Sequence, residues 1–298
     1  VATWKGKTRG GLVGYKIFIT VLTHLGLPFA YFLLRFVVLY FFVFAPSSFR
    51  NVYYFYHHRL GFGVLKSVLA IYKNYYAFGQ VILDKTAAMG SLDTRFTFDF
   101  DGESYLRDLV ADKTGGLLIS AHIGNFEMAG HLLERLRTRI NILMLDAEHR
   151  KIKDYLSSFT RKSFHIIPIG DDNMHVYEIS RVLKNHELVC MHGDRFMPGS
   201  KTLSCEFLGR KATFPTGPFY LAMKYGVPVS FVFAMKISSR HYHFYATPPK
   251  LFEQQNSMAK RDNMLKYIVT EYIAEMEHKI KQYPYQWFNY YNFWNETK

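Results

Sequence analysis

Residues 118–130 read LISAHIGNFEMAG, and within them His122 and Glu127 are the side chains able to take or hold a proton. An imidazole steadied by a carboxylate makes a general base. The carboxylate fixes one ring nitrogen as a donor and leaves the lone pair on the other. Spacing decides whether the two can meet. On a continuous helix, residues i and i+5 lie about 140° apart and face different ways. At a strand-to-helix junction the geometry changes: His122 sits on the strand end or turn, and Asn125 is a good N-cap. Glu127 then falls in the first turn, where the helix dipole favours a carboxylate. The other reading is a polar edge on an ordinary junction, and the spacing alone leaves both open. The pattern is not His-Glu-x-x-His and no second histidine stands at a ligand offset, so no metal site is expected.

Two further stretches place polar groups where such a pair would find a substrate. VCMHGDRFMPGS, residues 189–200, ends an apolar run in Gly193-Asp194-Arg195. The carboxyl ends of strands are where α/β sheets bind ligands. An arginine there suits a phosphate or carboxylate, or else a surface salt bridge involving Asp194. In FPTGPF, residues 214–219, Thr216-Gly217-Pro218 reads as the start of a helix with Thr216 as N-cap. Its exposed N–H groups could receive an anion, or the segment is simply a turn and a cap.

The elements around these residues alternate. RFTFDFDG has period two, ESYLRDLVADKTG reads as a helix ended by Gly115, and GLLIS is a buried strand leading into His122. INILML, FHIIPI, ELVCM and VPVSFVFAM recur as short apolar runs between helix-like segments, and residues 257–282 form a long amphipathic helix. The pattern predicts an α/β fold: a mixed, mostly parallel central sheet flanked by helices. Ahead of it, residues 17–45 are apolar almost throughout, long enough to span a bilayer, with a kink expected at Gly26 and Pro28. The alternative is a buried helix of the core. The expected organisation is a membrane-anchoring helix in 1–50, an amphipathic helical segment in 51–93 and the α/β domain in 94–298, with DKTAAMGSLD, residues 84–93, as the boundary. Basic residues flank the apolar run on both sides (Lys5, Lys7, Arg9 and Lys16 before it, Arg50 and Arg59 after), so charge does not fix topology. The aromatic tail YPYQWFNYYNFW either forms an interfacial belt or packs on the domain.

Composition narrows the partners. A chain that is 49% hydrophobic and 17% aromatic is not disordered, and a net charge of +13 calls for an anionic partner. Charge together with apolar surface fits a membrane face better than a nucleic acid, for which no motif is present. Cys190 and Cys205 make neither a disulfide framework nor a four-ligand zinc site.

His-x-x-x-x-Glu, Gly-Asp-Arg, and the stretch FLGRKATFPTGP (207–218) follow one another between an early apolar run and the YPYQWFNYY tail. In that order they resemble the bacterial lipid A late acyltransferases of the wider lysophospholipid acyltransferase superfamily. The resemblance implies His122 as catalytic base, Glu127 as its partner, and Asp194 as the acidic residue after the corresponding strand. It implies a fatty acyl group moved from an acyl thioester, carried on acyl carrier protein or coenzyme A, to a hydroxyl or amine of a lipid or glycolipid. No cofactor is implied, and the location is the bacterial inner membrane with the catalytic face toward the cytoplasm. Gly124, Asn125, Gly193, Asp194, Arg195, Thr216 and Gly217 are the expected substrate-binding residues. Arg195, or backbone N–H groups near Gly193 or Gly124, would serve the oxyanion. After INILML the chain reads DAEHRKIKDYL and lacks the family's arginine and Asn-Pro-Leu, which leaves the acceptor open: another glycolipid, an aminolipid or an aryl-polyene-type lipid. Two rival functions remain, a non-catalytic lipid-binding membrane protein and a thioesterase or lipid hydrolase. The chain lacks the Gly-x-Ser-x-Gly elbow of serine hydrolases.

Overall fold

The computed structural model describes residues 12–90, 95–126, 128, 136, 138–145, 164–169, 174–255 and 257–294. Its centre is a seven-stranded sheet of β1 (Thr97–Asp101), β2 (Gly116–Ser120), β3 (Ile140–Leu145), β4 (Phe164–Ile169), β5 (Leu188–His192), β8 (Val229–Lys236) and β9 (His241–Ala246). The spatial order is β1-β9-β8-β2-β5-β3-β4. Every neighbouring pair is parallel except β8 with β9. This is the mixed, mostly parallel sheet that the alternating pattern predicts. β2 is buried along its whole length, as the largely apolar GLLIS requires of a central strand covered on both faces. A separate hairpin, β6 (Thr202–Phe207) with β7 (Arg210–Pro215), stands beside the sheet.

The helices are α1 (Leu12–Phe44), α2 (Pro46–Tyr54), α3 (Val64–Met89), α4 (Glu103–Ala111), α5 (Met174–Lys184), α6 (Gly217–Tyr225) and α7 (Met258–Gln282). A π-helical turn over Phe55–Arg59 continues α2. α1 bends at Gly26, whose φ of 78° is not helical, just before Pro28. Beyond the bend it is two-sided. Leu27, Ala30, Tyr31, Leu34 and Val38 are buried, whereas Phe29, Phe32, Phe36, Leu39 and Val43 are exposed. The buried stripe lies on α3, and the contact is close because residue 79 is glycine: a Cβ there would stand 2.4 Å from Leu34 Cδ1. α1 is long and apolar enough to cross a membrane, with mean hydropathy 2.1 over Lys16–Phe44 and only 28% of that window buried. Its buried face joins the same apolar cluster as the sheet. The aromatic tail packs inward: Trp287, Phe288, Phe293 and Trp294 are all buried, with Trp287 edge-on to Phe55.

α3 runs on to Met89, past Asp84, where the sequence reading begins its boundary segment. The helix tolerates a fully buried carboxylate there because that carboxylate is fully partnered. Tyr31 and Tyr242 donate their hydroxyls to it and Lys236 its ammonium. Lys236 also donates to Tyr31 Oη (3.0 Å) and to the Ser239 carbonyl (2.9 Å). Burial pushes the Asp84 carboxyl up, and the Lys236 charge pulls against it. Removing one member of a buried pair strands the other's charge. Asp84→Asn is therefore expected to cost about 3–5 kcal/mol, and Asp84→Asn with Lys236→Met less than Asp84→Asn alone. Denaturant unfolding of the three proteins in the same detergent checks this.

Candidate active site

The register of the sheet brings the site together. β2 and β5 lie side by side with Ser120 opposite His192, so the residues just past their carboxyl ends, His122 and Asp194, also face one another. The ladder continues into the loop, with Gly193 N–H donating to the Ser120 carbonyl at 2.9 Å. Asp194 then takes two hydrogen bonds from one residue: His122 Nδ1 lies 2.8 Å from Oδ1, and His122 backbone N–H donates to Oδ2 at 2.9 Å. Asp194 is 1% exposed and the His122 side chain 20%. Burial alone would push this carboxyl up. The His122 charge and hydrogen bond, with Arg195 beside them, hold it well below the usual carboxylate range. Asp194 is thus an anion that fixes the ring: a proton on Nδ1 points at Oδ1, and Nε2 is the nitrogen turned away from the carboxylate.

The rest of the loop is pinned from two sides. Gly124 N–H donates to the Gln286 carbonyl (2.8 Å), Phe288 N–H to the His122 carbonyl (2.9 Å), and Asn125 N–H to the Ala234 carbonyl on β8 (2.7 Å). Asn125 is wholly buried. Its Oδ1 accepts from Met128 N at 3.2 Å, the N-cap bond its position predicts, while Nδ2 donates to Val81 O (3.3 Å) and Tyr242 Oη (3.2 Å). Through Tyr242 the loop thereby reaches Asp84. Gly124 is a positional requirement, with φ +65° and a Cβ that would fall 2.1 Å from the Ala234 carbonyl oxygen. Backbone cannot yield that far. Gly124→Ala is expected to lose at least the roughly 1–3 kcal/mol of a strained backbone residue. It is also expected to slow turnover by about 100-fold if His122 shifts by an ångström. Thermal melts and initial rates on one preparation read both effects.

The other expected substrate-binding residues fall as follows. The amides of Gly193 and Gly124 are committed to the carbonyls of Ser120 and Gln286, so neither offers a donor to an oxyanion. Gly193 serves packing instead: a Cβ there would meet Tyr272 Cζ at 2.9 Å and Phe219 Cζ at 3.0 Å. The Tyr272 hydroxyl donates from below to the Ser120 carbonyl at 2.9 Å. Arg195 donates Nη2 to the Phe288 carbonyl at 2.7 Å and lies 5.8 Å from the Tyr291 ring centre, which ties the tail to the dyad. Thr216 occupies the N-cap position of α6 without capping it. Its Oγ1 and its backbone N–H both turn to the Lys201 carbonyl, at 3.1 and 3.0 Å. Gly217 begins the helix proper. Glu127 and the 146–156 segment that departs from the resembling family lie outside the described residues.

One residue beside His122 was not singled out by spacing. The His192 ring stacks on that of His122, with centres 4.3 Å apart and planes 33° apart, and meets Phe126 edge-on at 4.4 Å. Burial and the neighbouring His122 charge lower its pKa to about 3, which keeps it neutral. The signal was present two residues before Asp194, but only strand register makes His192 a neighbour of His122.

A histidine held by a buried carboxylate at the carboxyl edge of a mostly parallel sheet, behind an apolar helix, goes with the class of lipid acyltransferases. Comparison of sequences identifies that class directly: the chain belongs to the bacterial lipid A biosynthesis acyltransferase family, whose sequence model matches residues 69–295. No curated protein sequence matches the chain significantly. Among solved structures, the crystal structure of the 1-acyl-sn-glycerophosphate acyltransferase PlsC from Thermotoga maritima aligns over 82% of this chain and 97% of its own. The TM-score is 0.35 and the sequence identity 15%.

Proposed function

We propose that this acyltransferase uses His122 as general base, steered by Asp194, to move a fatty acyl chain from an acyl thioester to a hydroxyl or amine of a lipid or glycolipid. The observation that carries this reading is the double contact of Asp194 with the ring and backbone of one histidine. His122 Nε2 takes the proton of the acceptor as its oxygen or nitrogen attacks the thioester carbonyl. The tetrahedral intermediate collapses, the C–S bond breaks, and the departing thiolate takes the proton back from the imidazolium. An ester or amide and a free thiol result, with no enzyme-bound acyl group required.

The exposed face of α1, lined by Phe29, Phe32, Phe36 and Val43, supports a reading in which this chemistry takes place at a bilayer surface. The location that fits is the bacterial inner membrane, with the dyad toward the cytoplasm where thioester donors are made. Acyl carrier protein, an acidic partner, suits the +13 chain, and acyl-coenzyme A is the second donor to try. With the carrier protein as donor, kcat/KM is expected to fall steeply as salt rises from about 0.05 to 0.5 M, because screening removes long-range steering. A flat salt profile points to a docking driven by apolar contact.

Purified enzyme in detergent, supplied with acyl thioester and total bacterial lipid, tests the whole reading by mass spectrometry. The expected product is a lipid heavier by one acyl group. Free fatty acid alone would make the protein a thioesterase, and no chemistry at all would make it a lipid-binding protein.

A further inference from the structure

His192 is a titratable group beside the base that the transfer chemistry does not use. Its Nδ1 is buried and has no hydrogen-bond partner among the described residues. One nitrogen from each of His122 and His192 and one carboxylate oxygen of Asp194 lie within 4.8 Å of one another. We propose that His122, His192 and Asp194 form a capture site for a borderline divalent cation of the zinc class, and that occupancy switches the base off. The regulatory half of this inference rests on His122 being the base; the binding half does not.

The donor set selects the ion. Two imidazoles and one carboxylate suit zinc, cobalt or nickel, whereas magnesium and calcium prefer oxygen throughout. Nitrogen and oxygen ligands sit roughly 2.0–2.2 Å from zinc, so around a tetrahedral ion they stand a little over 3 Å apart. His122 Nδ1 and Asp194 Oδ1, at 2.8 Å, are close to that already. The His192 ring has to turn its buried nitrogen toward them, and water fills the fourth position.

The switch is a change of tautomer. A cation bound to His122 Nδ1 takes the place of the proton now shared with Asp194. A neutral imidazole bound through Nδ1 carries its hydrogen on Nε2, so the proton leaves one nitrogen and returns through solvent to the other. No net proton is lost, and the lone pair that would accept the acceptor's proton is gone. Three protein ligands at the carboxyl ends of β2 and β5 also cross-link the two strands that bring the dyad together.

The test uses the full chain without a histidine tag, in detergent, stripped with chelator and then freed of it. Cobalt is expected to bind saturably with the intense visible absorption of a tetrahedral site, and zinc to displace it. His192→Phe should weaken binding by more than the roughly 10- to 100-fold that follows loss of a residue merely supporting a metal ligand. Asp194→Asn should do the same. His57→Gln with His58→Gln, on the π-helical turn, should leave binding unchanged. Stripped enzyme should turn over, zinc should stop it, and chelator should restore it.

Equal binding by the parent protein and the folded His192→Phe and Asp194→Asn variants would overturn the proposal, as would absence of saturable binding. Loss of activity on stripping would overturn the switch by making the metal a cofactor. Metal bound as expected by a protein that transfers no acyl group in any state would leave the site standing and remove the acyl-transfer role of His122.

Discussion

His122→Ala is expected to lower acyl transfer by on the order of 10²–10⁴-fold, the usual contribution of a positioned general base. The fold should survive it. The His122 backbone N–H, which donates to Asp194 Oδ2, is retained by alanine, so the loop keeps one of its two ties to the carboxylate. The ties of Gly124 to Gln286 and of Asn125 to Ala234 are also main-chain bonds. What is lost is the partner of Oδ1 on a buried carboxylate, a penalty of at least about 1–3 kcal/mol. Melting temperature therefore shifts modestly while turnover collapses, and measuring both on one preparation separates them. KM for the thioester should change little, because in the proposed reaction the ring meets the acceptor's proton rather than the donor's chain. A lipid-binding scaffold would show no such loss, so retention of full function by His122→Ala would remove the acid–base reading.

The parts legible in sequence were those set by local patterning. Period two in RFTFDFDG, the short apolar run in GLLIS and the Gly26/Pro28 kink all report on the residues that carry them. The bend of α1 was visible, but its division into a buried and an exposed stripe depends on Gly79, a residue of another helix. α3 continues past Asp84 to Met89 because Lys236, Tyr31 and Tyr242 surround that carboxylate, and those partners come from other elements. At the site, His122 and Asp194 could each be placed at a strand end. Nothing in a linear reading says that β2 and β5 are neighbours, because β3 and β4 separate them in the chain. A search for a local partner therefore finds Glu127, which lies outside the described residues, and only strand register adds the contact with Asp194.

That difference gives the second large effect. Asp194→Asn is expected to reduce turnover by about 10⁴-fold, as the equivalent exchange does in the Ser-His-Asp template, while preserving the fold. The reason is the tautomer. Asparagine can keep its oxygen on the His122 backbone N–H, the bond now made by Oδ2. Its amide nitrogen must then face His122 Nδ1, where Oδ1 now accepts. A donor there forces Nδ1 to be the acceptor and puts the ring hydrogen on Nε2, so the base is present, in place and unable to take a proton. The pH profile should show this as a loss of rate at every pH rather than a shifted optimum. Nitrogen-15 spectra of the imidazole should show the hydrogen on Nε2. Glu127→Gln is the comparison that apportions the steering role. If Asp194 orients the ring, Asp194→Asn changes the tautomer and Glu127→Gln does not, whatever Glu127 contributes to substrate. Should Glu127→Gln move the imidazole hydrogen while Asp194→Asn leaves it on Nδ1, the steering carboxylate is the one in the next turn, and the contact across β2 and β5 only holds the loop.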